Sequence, residues 1–370
     1  MIPNTKVQDL STKLIQGATL LDQSLFVQCD DCVISVQSNS VALLNELQRY
    51  FKHLVIHQSQ QSEADIVVIA IESAALELPC AFKDWPRQEG KSGRKDAYYQ
   101  LQGGRLIQKV RTGMVFLQSE TSRIAVGPCV KNPNQVINFI NSQHMNWLQQ
   151  RGWLICHAAA IAYKNQAYAI AGFSGGGKST LMLRLMDNEQ IDFISNDRLF
   201  IRNINNCIKV TGIAKLPRIN PGTIVNNPRL QSLIPEQQRV QLLDLPKQQL
   251  WNIEEKYDVD IEAIYGQGRI GNNKPLHALI ILNWQHDSKQ TFQVNKVNLQ
   301  QRRDLLAAVM KSPGPFYQDA QGTFLNEHAE FDESAYLSIL NQVNIFEVSG
   351  KIDFAALQCY FNQHIISEAR

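Results

Sequence analysis

The residues best suited to chemistry lie in one short stretch, AGFSGGGKSTL, from Ala171 to Leu181. Gly172, Gly177, Lys178 and Ser179 fit the spacing G-x-x-x-x-G-K-[ST] without a mismatch. Glycines allow positive φ, so successive backbone N–H groups can point inward as an anion nest. A helix opening at Lys178 adds the partial positive charge of its N-terminus. In such a loop the lysine reaches the β and γ phosphates of a nucleotide and the hydroxyl of Ser179 ligates Mg²⁺. Ser174, Gly175 and Gly176 line the same loop, and Thr180 follows it. A Gly-rich strand-to-helix turn in an unrelated fold is the competing reading. The flanks speak against it: QAYAIA before the loop reads as strand, and STLMLRLM after it as a helix turning Leu181, Met182 and Leu185 toward a sheet.

A phosphate loop also needs an acid near the metal, normally at the end of a neighbouring strand. The stretch Asp192-Phe-Ile-Ser-Asn-Asp197 supplies one, 18 positions after Ser179. Phe193 and Ile194 read as buried strand, and Asn196-Asp197 emerge at its C-terminal edge, where α/β sites lie. Asn-Asp is also a common turn pair. The spacing favours Asp197 as the metal acid, beside Ser179.

Around these residues the chain alternates strands and helices. Ile155–Tyr163 and Gln166–Ala171 suit a hairpin turning at Lys164-Asn165, and LHALIIL (276–282) suits a central buried strand. A helix is expected over 299–311, stopping at Ser312-Pro-Gly-Pro315. Before residue 130 the pattern is short strands with one helix, 40–54, capped by Ser38 or Ser40. The segment 84–96 reads as a polar surface loop, and residues 133–150 as a helix bridging two domains. The expected organisation is an N-terminal mixed α+β domain over 1–149, its role unassigned, and a C-terminal phosphate-loop domain over 150–370.

Composition narrows the function classes. With 36 basic and 34 acidic residues the net charge is +2, which argues against a dedicated nucleic-acid binder or a polybasic membrane protein. No apolar run approaches the roughly 20 residues of a membrane span, and the N-terminus lacks a signal-peptide profile. A cytoplasmic chain with no nucleic-acid and no membrane partner is expected. The seven cysteines are scattered, which suits reduced thiols, and Cys29-Asp-Asp-Cys32 lacks a second pair to complete a zinc site.

His157-Ala-Ala-Ala160, AIAGFSGGGKSTL and FISNDRLFI together resemble the HPr kinase/phosphorylase superfamily, most closely its HprK-related kinase B branch. In HPr kinases a histidine opens the first strand of the catalytic domain fifteen residues before the first glycine of the loop, and His157 to Gly172 keeps that distance. GIAKLPRINPGT, NNPRL, LWNIEEKYDVDI, LNW and KSPGPFY extend the resemblance over roughly 150–320. It implies a fold like that of phosphoenolpyruvate carboxykinase, with ATP and Mg²⁺ as cofactors. It also implies phosphoryl transfer to a hydroxyl, typically a serine of a small protein partner. HPr kinases are hexamers, so the resemblance leaves a homo-oligomer open. Two departures stand out. HPr kinases carry two adjacent aspartates where this chain has Asn196-Asp197, and their arginine–glycine motif is replaced here by residues 254–260.

On this reading Lys178, the loop amides and Mg²⁺ on Ser179 and Asp197 cover the phosphates, and Asp197 and His157 are the candidate catalytic bases. Asn196 neighbours them, and Lys215, Arg218 and Lys256 are candidate cations for the transferring group, against a reading as solvated surface charge. Asp258 and Asp260 alternate with Val259 and Ile261, as two carboxylates on one face of a strand would. The alternatives are a small-molecule kinase on the same core and a nucleotide-binding regulatory switch without productive transfer.

Overall fold

The structure is a computed structural model that describes residues 6–56, 63–86, 93–173, 175–253, 255–285 and 287–366. Residues 87–92 of the expected surface loop and Ser174 of the glycine-rich loop lie outside these ranges. The chain forms two compact units: Met1–Gly152 with Pro313–Glu330, and Trp153–Ser312 with Phe331–Arg370.

The first unit is built on eight strands: β1 (Leu25–Cys29), β2 (Cys32–Ser38), β3 (Ile66–Glu72), β4 (Lys83–Asp84), β5 (Asp96–Leu101), β6 (Gly104–Lys109), β7 (Met114–Ser119) and β8 (Arg123–Gly127). Their order in the sheet is β1-β2-β3-β8-β7-β6-β5-β4, with β2–β3 and β3–β8 parallel and the other pairs antiparallel. Helix α1 (Val7–Ile15) buries Val7, Leu10 and Leu14 against Leu106, Leu117 and Ile124. Helix α2 (Val41–Tyr50) starts where Ser40 accepts the Leu43 N–H, one of the two caps the sequence suggests. Helix α3 (Pro133–Gln150) belongs to this unit and packs Phe139 on Phe116, with ring centroids 4.9 Å apart.

Residues 313–330, which sequence pattern groups with the second domain, complete the first unit. The buried Arg105 guanidinium donates to the carbonyls of Pro315 (3.1 Å) and Leu325 (3.0 Å). Phe316 joins the Phe116–Phe139 cluster, and Glu327 takes an ion pair from Lys83 and a hydrogen bond from Tyr98. These partners are far apart in sequence and leave no local pattern.

The second unit holds β9 (Leu154–Cys156), β10 (Ala158–Tyr163), β11 (Gln166–Gly172), β12 (Ile191–Ser195), β13 (Leu199–Ile204), β14 (Cys207–Thr211), a ribbon of β15 (Arg218–Ile219) and β16 (Tyr257–Asp258), β17 (Lys274–Leu282), β18 (Gln293–Lys296) and β19 (Asn344–Ser349). The main path is β12-β10-β11-β17-β14-β13-β9; β19 lies parallel to β17 and β18 antiparallel to β19. The helices are α4 (Lys178–Leu185), α5 (Pro221–Val225), α6 (Glu236–Leu243), α7 (Lys247–Asn252), α8 (Ile261–Tyr265), α9 (Glu333–Leu340) and α10 (Phe354–Tyr360).

Both faces of this mixed sheet are covered, which is why its central strands read as unbroken apolar runs. Ala159, Ile161, Tyr168 and Ile170 face α4 through Leu181, Met182 and Leu185. Ala158, Ala160, Ala162, Ala167, Ala169 and Ala171 face Leu305, Leu306, Tyr336 and Leu337 on the other side. The helix expected over 299–311 is instead a short 3₁₀ segment, Arg303–Ala308. The backbone just beyond it is tied to the sheet: the His157 N–H donates to the Val309 carbonyl at 2.7 Å, and Met310 bridges Cys156. Isolated α-type bonds flank the segment, from the Arg302 N–H to the Asn298 carbonyl (3.0 Å) and from the Met310 N–H to the Leu306 carbonyl (2.9 Å), without joining into one helix.

Candidate nucleotide-phosphate site

Strand β11 runs parallel to β17 and sets Gly172 opposite Leu282. A Cβ on Gly172 would lie 2.9 Å from the Leu282 Cβ and 3.1 Å from its carbonyl oxygen, so close backbone approach demands glycine here. The loop then turns on a bond from the Gly176 N–H to the Phe173 carbonyl (2.9 Å), and the Trp284 indole N–H donates to the Gly176 carbonyl (2.8 Å). Gly175 lies at the exposed tip. Gly177, at φ 84°, is the left-handed residue that opens α4, and a Cβ there would strike the Phe354 ring at 2.4 Å.

Lys178 is folded back over its own loop and donates to the Gly172 carbonyl at 3.0 Å. Burial pushes its pKa down to about 8, against the opposing pull of Asp197, and the Lys311 and Lys256 charges push the same way as burial. Ser179 is half-buried in the first turn of α4. Thr180 and Thr223 share a hydrogen bond of 2.8 Å that ties α4 to α5.

Asp197 follows β12 by two residues, and its carboxylate is held on both oxygens. Oδ1 lies 3.1 Å from the His157 Nε2, and Oδ2 lies 3.0 Å from the Lys311 Nζ. Burial alone would raise the carboxyl, but the His157 hydrogen bond and the Lys311 charge hold it well below the usual carboxylate range. His157 occupies the one-residue break between β9 and β10, where its backbone bond to Val309 fixes it. Its bond to Asp197 favours the imidazolium, but burial and the Lys178 and Lys311 charges outweigh that bond and lower the pKa. The imidazole is therefore neutral at pH 7 and donates Nε2–H to Asp197.

Lys178, Asp197 and His157, far apart in sequence, thus form one electrostatic group. Lys311, with a side chain only 10% exposed, is a member that sequence reasoning missed, though its segment KSPGPFY had been singled out. Arg198 is a second: burial lowers its pKa and the Asp197 charge opposes the shift.

The other candidate cations divide. The Lys256 charge is felt by Lys178 at the loop. Arg218 instead pairs with Asp258 across the β15–β16 ribbon at 3.0 Å, and Lys215 acts on the same carboxyl. Asp258 and Asp260 do not share a strand face: β16 ends at Asp258, and Asp260 caps α8 by accepting the Ala263 N–H at 3.2 Å. Two residues of alternation were too few to define a strand.

The donor set fits a phosphate and a hard cation. The loop offers amides at a helix N-terminus beside a buried ammonium. The Asn196 Oδ1 is buried with no hydrogen-bond partner among the described residues, an oxygen left over beside Asp197 of the kind Mg²⁺ takes. Cys29 and Cys32 are both buried, and burial pushes both thiols up, Cys29 to about 12. No helix among the described residues is long and apolar enough to cross a membrane.

No family model matches this chain, and no curated protein matches it. Among solved structures it is similar to the Hpr(Ser) kinase/phosphatase from Coxiella burnetii, at 12% identity, over 58% of this chain and 92% of that one, with a TM-score of 0.29. At that score the likeness carries no inference about activity.

Proposed function

We propose that this chain is an ATP- and Mg²⁺-dependent phosphotransferase of the HPr-kinase type, passing the γ-phosphate to a serine or threonine hydroxyl of a small protein partner. One observation carries the reading. The glycine-rich turn from β11 into α4 lies within electrostatic reach of a carboxylate at the end of β12, which is itself clasped by a histidine and a lysine. The sequence resemblance supports the choice of ATP and of a protein hydroxyl as acceptor.

In this reading the loop amides and Lys178 bind the β and γ phosphates. Mg²⁺, held by Ser179 and Asp197 with Asn196 alongside, would neutralise phosphate charge. Asp197 accepts a hydrogen bond from the incoming hydroxyl and orients it. As the hydroxyl oxygen bonds to the γ-phosphorus, the bond from that phosphorus to the bridging oxygen breaks, ADP leaves with the electron pair, and the hydroxyl proton passes to the Asp197–His157 pair. Little basicity is needed, because phosphoryl transfer depends chiefly on positioning and charge stabilisation. Lys311 and Lys256 add positive charge around the transferring group.

The test is transfer of labelled γ-phosphate from ATP with Mg²⁺ to native lysate proteins, with wild type beside Lys178→Ala and Asp197→Asn. A labelled protein band that vanishes in both variants supports a protein kinase. Labelling of a metabolite instead would move the reading to a small-molecule kinase. Tight ATP binding without transfer or hydrolysis in wild type would leave a regulatory switch.

A further inference from the structure

The first unit carries a cleft that the phosphotransfer reading does not use. Its volume is about 610 Å³, within the roughly 300–1,000 Å³ range of small-molecule sites. It opens where the C-terminal half of α3 meets β7, β8, the start of β3 and the returning segment 318–320. Every lining residue belongs to the first unit.

Its walls are polar in a place where polarity is costly. Helix α3 is buried all round over Asn141–Asn146, and of these residues Gln143 and Asn146 line the cleft where aliphatic side chains would cost less. Gln118, Gln143 and Gln318 are 1–2% exposed and all line the cleft. These amides are held in fixed orientations. The Gln143 Nε2 donates to the Gln118 Oε1 at 2.8 Å, the Gln150 Nε2 to the Gln318 carbonyl at 3.0 Å, and the Asn146 Nδ2 to the Phe316 carbonyl at 2.8 Å. After those bonds the Gln143 Oε1 and the Trp147 indole N–H are still buried with no partner among the described residues. Both residues line the cleft, so one acceptor and one donor lie unpaired in its wall.

The charge of the lining selects the chemistry of that partner. The lining carries Arg123 and Arg151 together with Asp65, Glu120 and Asp319, so its charge is close to balanced. Asp65 and Asp319 are already committed, to the Val33 N–H (2.8 Å) and to the Gln321 and Thr323 N–H groups (2.9 and 2.8 Å). Beyond those bonds the lining amides, guanidinium groups and the exposed Glu120 carboxylate keep spare donors and acceptors of the kind that engage neighbouring hydroxyls. We propose that this cleft is a binding site for a small, uncharged, polyhydroxylated ligand of the sugar class.

The test is isothermal titration calorimetry on the full chain with D-glucose, D-mannose, D-galactose and N-acetyl-D-glucosamine, beside inorganic phosphate and L-glutamine. Saturable binding of at least one sugar is expected, with affinity falling at least tenfold in Gln143→Leu. Because Gln143 is buried, Glu120→Gln at the exposed rim serves as a second variant and should weaken binding severalfold in a folded chain. Lys178→Ala should leave sugar binding unchanged, which separates this site from the phosphate loop. Binding of no sugar, preferential binding of phosphate or glutamine, or a sugar affinity indifferent to both cleft variants would each overturn the proposal.

Discussion

Asp197 is gripped from both sides, by the Lys311 Nζ 3.0 Å from one carboxylate oxygen and the His157 Nε2 3.1 Å from the other. Removing the charge leaves the little-exposed Lys311 ammonium without its anion while it still repels the Lys178 charge. Asp197→Asn should therefore lower unfolding stability by about 1–3 kcal/mol and cut phosphate transfer by about 10² or more. Adding Lys311→Met should return part of the stability and none of the activity. Urea midpoints of the two singles and the double give the coupling; additive losses would show that the pair contributes nothing.

Lys178 titrates at about 8 in the free site, because burial disfavours its charge. A phosphate placed beside it favours the ammonium, so its pKa rises on binding. ATP binding should then take up protons near and above pH 8 and almost none at pH 6.5. Calorimetry in buffers of differing ionisation enthalpy measures this directly. Equal uptake at both pH values would exclude Lys178 as the source.

His144, in the middle of α3, has both ring nitrogens buried without partners among the described residues, and burial lowers its pKa from 6.5 to about 4. The unfolded chain binds the proton first, so stability is full above pH 6.5 and is lost as pH falls toward 4. The loss amounts to about 3 kcal/mol at most. His144→Leu should flatten this part of the stability profile, read from urea midpoints at pH 7 and pH 5.

Gly212 lies against β12, and a Cβ there would sit 2.0 Å from the Ile194 carbonyl oxygen. Both atoms are held by backbone, so Gly212→Ala must displace the strand that delivers Asp197. A loss of about 1–3 kcal/mol is expected, with weakened metal-dependent nucleotide binding. A variant of wild-type melting temperature and activity would mean that β12 yields without cost.

Much of the glycine-rich loop was legible because its determinants are contiguous: a continuous buried run makes β11, glycines make the turn, and Lys178 opens α4. Lys311 was not, since its meeting with Asp197 depends on a backbone tether between His157 and Val309 that no local pattern encodes. The stretch 299–311 suggested a helix, but only Arg303–Ala308 is helical, and as a 3₁₀ segment. Asp260 has the three-residue spacing to Ala263 of a helix N-cap, a local signal that outweighs the short alternation around it.

The return of residues 313–330 to the first unit bears on how a ribosome delivers this protein. Arg105 is buried with its pKa lowered to about 10, and two of its acceptors, the Pro315 and Leu325 carbonyls, emerge more than two hundred residues after it. The N-terminal part cannot finish folding first, as leading domains commonly do during synthesis. It must wait, incompletely assembled, until nearly the whole second unit has been made. A single proteolytic cut after Gly152 would likewise release neither unit, because the polypeptide still passes between them at 312–313 and 330–331.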